Sequence, residues 1–398
     1  MSEGMLIAVA PVPLWPVDNG YSLRVTGILA RLVERWDTIL VSPASPAGAD
    51  RGADMKLRDH VTVDLGGNVA TMPWQLDIEP LKAVMNDVLR VAKPDVALLW
   101  AGTEVLGFGN DFVPAVADRI DSATLATFRM TRGEQSLSKR VRMSARAALY
   151  ERRVVRGMSA TIVVGEDDAR MLRRISGRDT VHVVPNGVDL TPIPAPTSQS
   201  VVPTVIFTGV MNFRPNVEAA IGFAHEVWPL VRASTPEARF VIAGRQPRDS
   251  ILALAGLPGV EVLPDVVDLR AELHKAWVAV APMRSGCGIK NKVLEAWACG
   301  KPVVMSSIAA NGLAPGHRQA SSVADDPRQV ADAVVRLIRD GETRNRLGRF
   351  GHALVAEHHS WAGAAGRVSE LLRAAATGSP RDGVAPSPPG PRAGLSVG

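Results

Sequence analysis

The sequence predicts an α/β protein made of two doubly wound domains, each a parallel sheet flanked by helices. Three observations carry this reading. Short apolar runs alternate with segments of helical period in two separate series, as strand–helix–strand units require. A stretch rich in Pro, Ser and Thr at 188–202 divides the two series. The 398 residues, 46% hydrophobic and 21% charged, suffice for two cores. The expected divisions are domain one at 1–187, the linker at 188–202, domain two at 203–360, a last helix at 361–376 and a disordered tail at 377–398, where Pro, Gly and Ser dominate.

Domain one opens with an apolar run at 6–10, bounded by Pro11, Pro13 and Pro16, which reads as a buried first strand. Asp18, Asn19 and Gly20 follow, and then Leu23, Gly27, Leu29 and Leu32 at helical spacing, with Arg24 among them. A strand, a glycine turn and a helix open an α/β unit, and ligands gather at such turns; Asn19-Gly20 equally fits an ordinary turn. Further strands fall at 39–42, 61–65 and 95–100, with a helix at 78–92 ended by Pro94. The next strand ends in Asp118-Arg119-Ile120-Asp121-Ser122, where Asp121 reads either as a functional carboxylate or as a cap. Residues 129–156 hold nine Lys and Arg against Glu134 and Glu151, with Leu137, Val141, Ala145 and Ala148 as a thin apolar stripe. This segment reads as a solvated helix packed by its stripe, as a contact for an anionic membrane surface, or as a patch steering an anionic acceptor. It has almost no interleaved aromatics, which argues against nucleic acid. Strands at 160–164 and 181–184 lead into Pro185-Asn186-Gly187-Val188-Asp189.

Domain two restarts the rhythm. A strand at 204–208 meets Gly209, where backbone can approach a phosphate, and Arg214 stands in the loop after it. Strands follow at 240–243 and 260–263; Asp268 reads as an N-cap. The strand at 277–282 delivers the stretch around which the chain is organised, 283–304, reading MRSGCGIKNKVLEAWACGKPVV. Gly286 and Gly288 flank Cys287 just before a helix, and Lys290 and Lys292 stand at its start. Glycines there let backbone N–H groups close on an anion, and the helix N-terminus adds about half a positive charge. Glu295 lies three residues after Lys292, on the same helix face. Lysines for a diphosphate beside one carboxylate for ribose hydroxyls suit a nucleotide; a glycine loop before a solvated helix accounts for the same residues. Helices at 327–339 and 342–358 precede the last one, which begins at Ser360-Trp361.

No apolar run approaches the roughly 18–20 residues of a bilayer span. The N-terminus lacks a basic region before its short apolar run, so no signal peptide is expected. Cys287 and Cys299 are the two cysteines, without a CxxC, which predicts a reducing cytoplasm and neither disulfides nor zinc. Any peripheral contact would then be with the inner membrane surface, through 129–156. No D-x-D pair on a polar loop, Ser-His-Asp elbow or G-x-G-x-x-G turn is present.

The stretch GCGIKNKVLEAWACGKPVV resembles the nucleotide-sugar signature of family 4 glycosyltransferases, in a subgroup with a G-x-G-x-K-x-K-x-L-E-A pattern. PNGVD resembles that family's hallmark at the end of domain one, and Asn19-Gly20 with Arg24 resembles its first glycine loop. The resemblance implies the GT-B fold: two Rossmann-like domains facing a cleft, with a C-terminal helix crossing back to domain one and Trp361 at its start. It implies a retaining glycosyltransferase that needs no metal or cofactor and takes its sugar from a nucleotide, UDP by family frequency. The donor contacts implied are Asn19, Gly20, Gly209, Arg214, the backbone of Gly286, Cys287, Gly288 and Ile289, and Glu295 at the ribose. Lys292 first, then Lys290 and Arg24, would stabilise the leaving diphosphate. Two departures stand out. The first of the family's paired glutamates falls on Cys287, and no histidine lies between His60 and His182, where the family places one. Asp121 is the candidate for that place on the acceptor side. Two rivals remain: a nucleotide-sugar 2-epimerase-type enzyme on the same fold, and a non-catalytic nucleotide-sugar-binding protein.

Overall fold

The computed structural model describes residues 2–17, 19–46, 55–64, 79–108, 112–130, 137–190, 200–286 and 288–378. The tail beyond 378, most of the linker, Asp18 and Cys287 lie outside them. Domain one holds β1 (Met5–Val9), β2 (Asp37–Pro43), β3 (Asp59–Val63), β4 (Val96–Trp100), β5 (Ala115–Ile120), β6 (Ala160–Val163) and β7 (Val181–Val183), in spatial order β3-β2-β1-β4-β5-β6-β7. Domain two holds β8 (Thr204–Val210), β9 (Arg239–Arg245), β10 (Val260–Pro264), β11 (Val278–Ala281), β12 (Val303–Met305) and β13 (Ser321–Val323), ordered β10-β9-β8-β11-β12-β13. Every neighbouring pair is parallel. β1 and β4 are buried almost throughout, as strands with helices on both faces must be.

Strand order reverses between β1 and β4 in one domain and between β8 and β11 in the other. Clefts in such sheets open at the carboxyl ends on either side of that reversal. The Asn19-Gly20 turn follows β1, the Gly209 loop closes β8, and the glycine-lysine stretch follows β11, so all three gather at these two points.

The last helix, Trp361–Thr377, crosses back as expected. Trp361, Ala364, Ala365, Val368, Leu372 and Ala375 belong to the core of domain one rather than domain two. The indole of Trp361 lies flat on Gly27, where a Cβ would come within 2.5 Å of the ring. Trp36 Nε1 donates to Ser369 Oγ at 2.9 Å on the same seam. Where the chain passes between domains, Val188 and Ser360 form a parallel bridge and Val188 N donates to His359 O at 2.8 Å.

The basic segment forms the helix Leu137–Gly157, but its packed face differs from the expected stripe. Val141 is 60% exposed and Ala145 is exposed too. The buried face is Ala147, Glu151, Val154 and Val155. A buried glutamate stands in the middle of it, so a purely apolar template picks the wrong face.

Candidate functional site

The helix Asn291–Ala298 begins with Lys290 at its N-cap, and no side chain caps its first N–H groups. Those orphan donors and the helix dipole face the loop at 286–290. Gly288 has φ +68°, and a Cβ there would lie 2.6 Å from Asp121 Oδ1 of domain one. Only glycine satisfies both demands. Gly209, at φ +154°, is similarly crowded: a Cβ would sit 3.1 Å from Lys292 Nζ.

Lys292 is held in place. Its Nζ donates to Asn216 Oδ1 at 2.7 Å and stands 4.1 Å from the centre of the Phe207 ring. Loss of water around the ammonium lowers its pKa to about 7; Glu295 pulls it up and Lys290 pushes it further down. Burial in turn raises the pKa of Glu295, against the pull of Lys292 and Arg270. Lys290 is buried and folds back so that its Nζ donates to Gly288 O at 2.7 Å.

Domain one meets this helix directly. Asn19 caps the helix Gly20–Leu32 through a capping box, and a Cβ on Gly20 would be 3.4 Å from Asn291 Nδ2. Asn186, inside PNGVD, donates from Nδ2 to Asn291 Oδ1 at 2.9 Å. The first glycine loop therefore lies over the start of the lysine-bearing helix.

Asp121 is presented by strained backbone. Ile120, β-branched, sits at φ +64°, and the β5–β6 register shifts beside it. A buried network holds the strain: Arg119 donates to Glu104 Oε1 at 2.5 Å and to Glu151 Oε1 at 3.1 Å. Glu151 also accepts from the hydroxyls of Ser122 and Thr124, and Ser122 N donates to Asp168 Oδ1 at 2.8 Å. Burial alone would lower the Arg119 pKa, but the two glutamates raise it above its usual value. The sequence marked Asp121 as a candidate but gave no role to Arg119, Glu104 or Glu151, which hold the backbone beside it.

Two expected cations differ from expectation. Arg24 is not an open cleft cation: it is fully buried, with Nε on Asp118 at 2.9 Å and Nη1 on Asn186 Oδ1 at 2.9 Å. Its Nη2 has no partner among the described residues. Arg214 is exposed, and its Nε donates to Glu218 Oε1 at 2.7 Å, so much of its charge is answered locally. Asp268 caps the helix Leu269–Lys275 as expected, accepting from Ala271 N at 3.0 Å. Asn216 and Asn186 were not singled out by side chain; Asn186 lies in the quoted PNGVD, and each follows a proline in the sequence.

Two cavities flank the helix Asn291–Ala298. One of about 280 Å3 is lined by Glu295, Asp268, Arg270, Leu294 and Asn291. The other, about 520 Å3, is lined by Gly288, Ile289, residues 311–315 and, from domain one, 165–168. Ile289 itself is buried in the domain-two core.

Two facing Rossmann-like domains, a cleft at both switch points and the returning helix define the GT-B fold. Comparison with known proteins agrees. Residues 202–340, about a third of the chain, match the family model described as Glycosyl transferases group 1. The chain is 28% identical over 253 residues to the alpha-maltose-1-phosphate synthase of Mycolicibacterium smegmatis, covering 56% of this chain and 65% of that one, just under two thirds of the relative. Among solved structures it is similar to sucrose-phosphate synthase from Thermosynechococcus elongatus, with TM-score 0.73, 15% identity and coverage of 93% and 98% of the two chains. It is also similar to the HepE protein of Anabaena in complex with UDP-glucose, with TM-score 0.67, 15% identity and coverage of 93% and 99%.

Proposed function

We propose that this protein is a retaining glycosyltransferase that needs no metal and moves a sugar from a nucleotide donor, UDP in the first instance, to a hydroxyl acceptor. The observation that carries this is the pairing of Lys292, held by Asn216 at the uncapped helix start, with Glu295 one turn along in a cavity of nucleoside size. The UDP-glucose bound by the Anabaena relative supports the choice of carrier.

In this reading the nucleoside enters the smaller cavity, with Glu295 accepting from the ribose hydroxyls. The diphosphate lies over Gly286, Cys287, Gly288 and Ile289. As the bond from the sugar's anomeric carbon to the phosphate oxygen breaks, negative charge grows on the diphosphate. Lys292, Lys290 and the helix N-terminus stabilise that charge without rearranging. The acceptor oxygen bonds to the anomeric carbon on the face the diphosphate leaves, and its proton passes to the departing phosphate oxygen. Asp121 orients the sugar or the acceptor hydroxyl, and Asn19, Gly20 and Gly209 close the walls. The larger cavity, which Gly288 shares, has room for the acceptor.

The exposed face of the helix Leu137–Gly157 supports a cytoplasmic enzyme working at a membrane surface. Val141 and Leu149, 60% and 70% exposed, stand there among Lys139, Arg142, Arg146, Arg152 and Arg153. Among the described residues no helix is long and apolar enough to span a bilayer.

The test is a thermal-shift panel of UDP, GDP, dTDP and ADP, each with and without magnesium. A shift for one diphosphate, unchanged by magnesium, is expected. No shift with any of the four would overturn the proposal.

A further inference from the structure

Domain two has a third cavity, about 640 Å3, which shares no lining residue with the two beside the helix Asn291–Ala298 and lies where three helices converge on the edge strand β13. Each helix contributes one arginine: Arg318 from His317–Ala320, Arg336 from Pro327–Arg339 and Arg346 from Gly341–His358. None of the three is in an ion pair among the described residues, and no carboxylate lines the cavity among them. Asp340 feels the field of Arg346, yet its carboxylate is engaged in capping the helix at Thr343 N, at 2.9 Å.

The hydroxyl side of the cavity is unsatisfied as well. Ser321, on the edge strand, is only 7% exposed, and its Oγ has no hydrogen-bond partner among the described residues. Buried hydroxyls are normally paired. The Thr343 hydroxyl is engaged by the Asp340 carboxylate, and Phe350, 38% exposed, forms an apolar wall. Three like charges brought together without a counter-charge repel one another, and an anion between them reverses the sign of that interaction.

We propose that this cavity is a second, non-catalytic binding site for a small organic phosphate. The guanidinium groups of Arg318, Arg336 and Arg346 take the phosphate oxygens, the hydroxyl of Ser321 donates to them, and Phe350 covers the organic part. Arginine forks suit phosphate geometry better than lysine would. The site sits on the helix whose far end, His358, adjoins the interdomain bridge at Ser360.

The experiment is calorimetry of inorganic pyrophosphate binding at low ionic strength, on the full chain and two variants. In one, Arg318→Gln, Arg336→Gln and Arg346→Gln are combined; all three positions are exposed, so folding is retained, and circular dichroism checks it. The other is Lys292→Met, which disables the cleft. Expected are saturable binding in the parent chain, retention of one binding event in Lys292→Met, and loss of that event by at least about tenfold in affinity in the triple variant. Phenyl phosphate should bind this site more tightly than inorganic phosphate, and Phe350→Ala should remove the difference. Binding unchanged in the triple variant, or abolished by Lys292→Met alone, would place the anion in the cleft and overturn the proposal, leaving the cleft reading intact. Absence of any binding in the parent chain would overturn it too, whereas failure of the nucleotide panel alone would leave it standing.

Discussion

Lys292 offers the sharpest test of the cleft. With its pKa lowered to about 7, it is largely neutral in the empty protein above that pH. A sugar diphosphate carries a constant charge over the same range, since its phosphates are diesters, so the protein alone supplies the pH dependence. Donor binding requires the ammonium and therefore takes up a proton. The free protein is about one-tenth protonated one pH unit above the pKa, so affinity should fall about tenfold, or roughly 1.4 kcal/mol, between about pH 6 and pH 8. Calorimetry of a UDP-sugar in two buffers of different ionisation enthalpy reads both quantities. About 0.9 proton should be taken up at about pH 8 and almost none at about pH 6. Lys292→Met keeps the stem against Phe207, flattens the profile and loses about 2 kcal/mol at the acid end. The stability sign runs the other way: the unfolded chain holds this proton up to the ordinary lysine range, so Lys292 contributes a rise in stability as pH increases above about 7. A flat affinity profile with no proton uptake in the parent chain would refute the reasoning.

Three further outcomes are expected. Glu295→Gln should weaken nucleotide binding by about 1–3 kcal/mol and leave binding of free pyrophosphate unchanged, which calorimetry with each ligand checks. Gly288→Ala should be folded but nearly inactive in sugar transfer, because the new methyl meets Asp121 and the left-handed backbone adds about 1–2 kcal/mol of strain; near-normal turnover would show that Asp121 and the loop do not need their close approach. Glu151→Ala should destabilise by about 3–5 kcal/mol in denaturant unfolding, since Arg119 loses one of its two buried carboxylates and four donors lose an acceptor.

Much of this was legible in the residues. The runs at 6–10, 95–100 and 204–208 became central strands because their interiors are apolar and buried on both faces. The glycine-lysine stretch and the Asn19-Gly20 turn, both picked out in the sequence, come together in the structure, with Gly20 next to Asn291. Arg24 was not legible: its partner Asp118 lies 94 residues away, and nothing local distinguishes a cation aimed at a ligand from one engaged below the surface. The stripe on the helix Leu137–Gly157 failed for a related reason. Glu151 is buried because Arg119 and three neighbouring residues, Ser122, Ala123 and Thr124, need it, and those demands come from another segment. Asp121 was visible as a residue, but the strained Ile120 that aims it was not, since a left-handed β-branched residue follows no local preference.

The returning helix has a consequence for biosynthesis. Domain one cannot complete its interior until Trp361 and Leu372 arrive, and both lie beyond the whole of domain two in the order of synthesis. At about 5–20 residues per second, a ribosome that has finished β7 needs roughly 10–40 s more to deliver them. Through that interval the groove over Gly27 stays open and oily, while domain two has all its strands to fold on. The second half of the chain is thus poised to become native before the first. A fragment ending at the linker would keep its groove uncovered and would be expected to clump rather than fold.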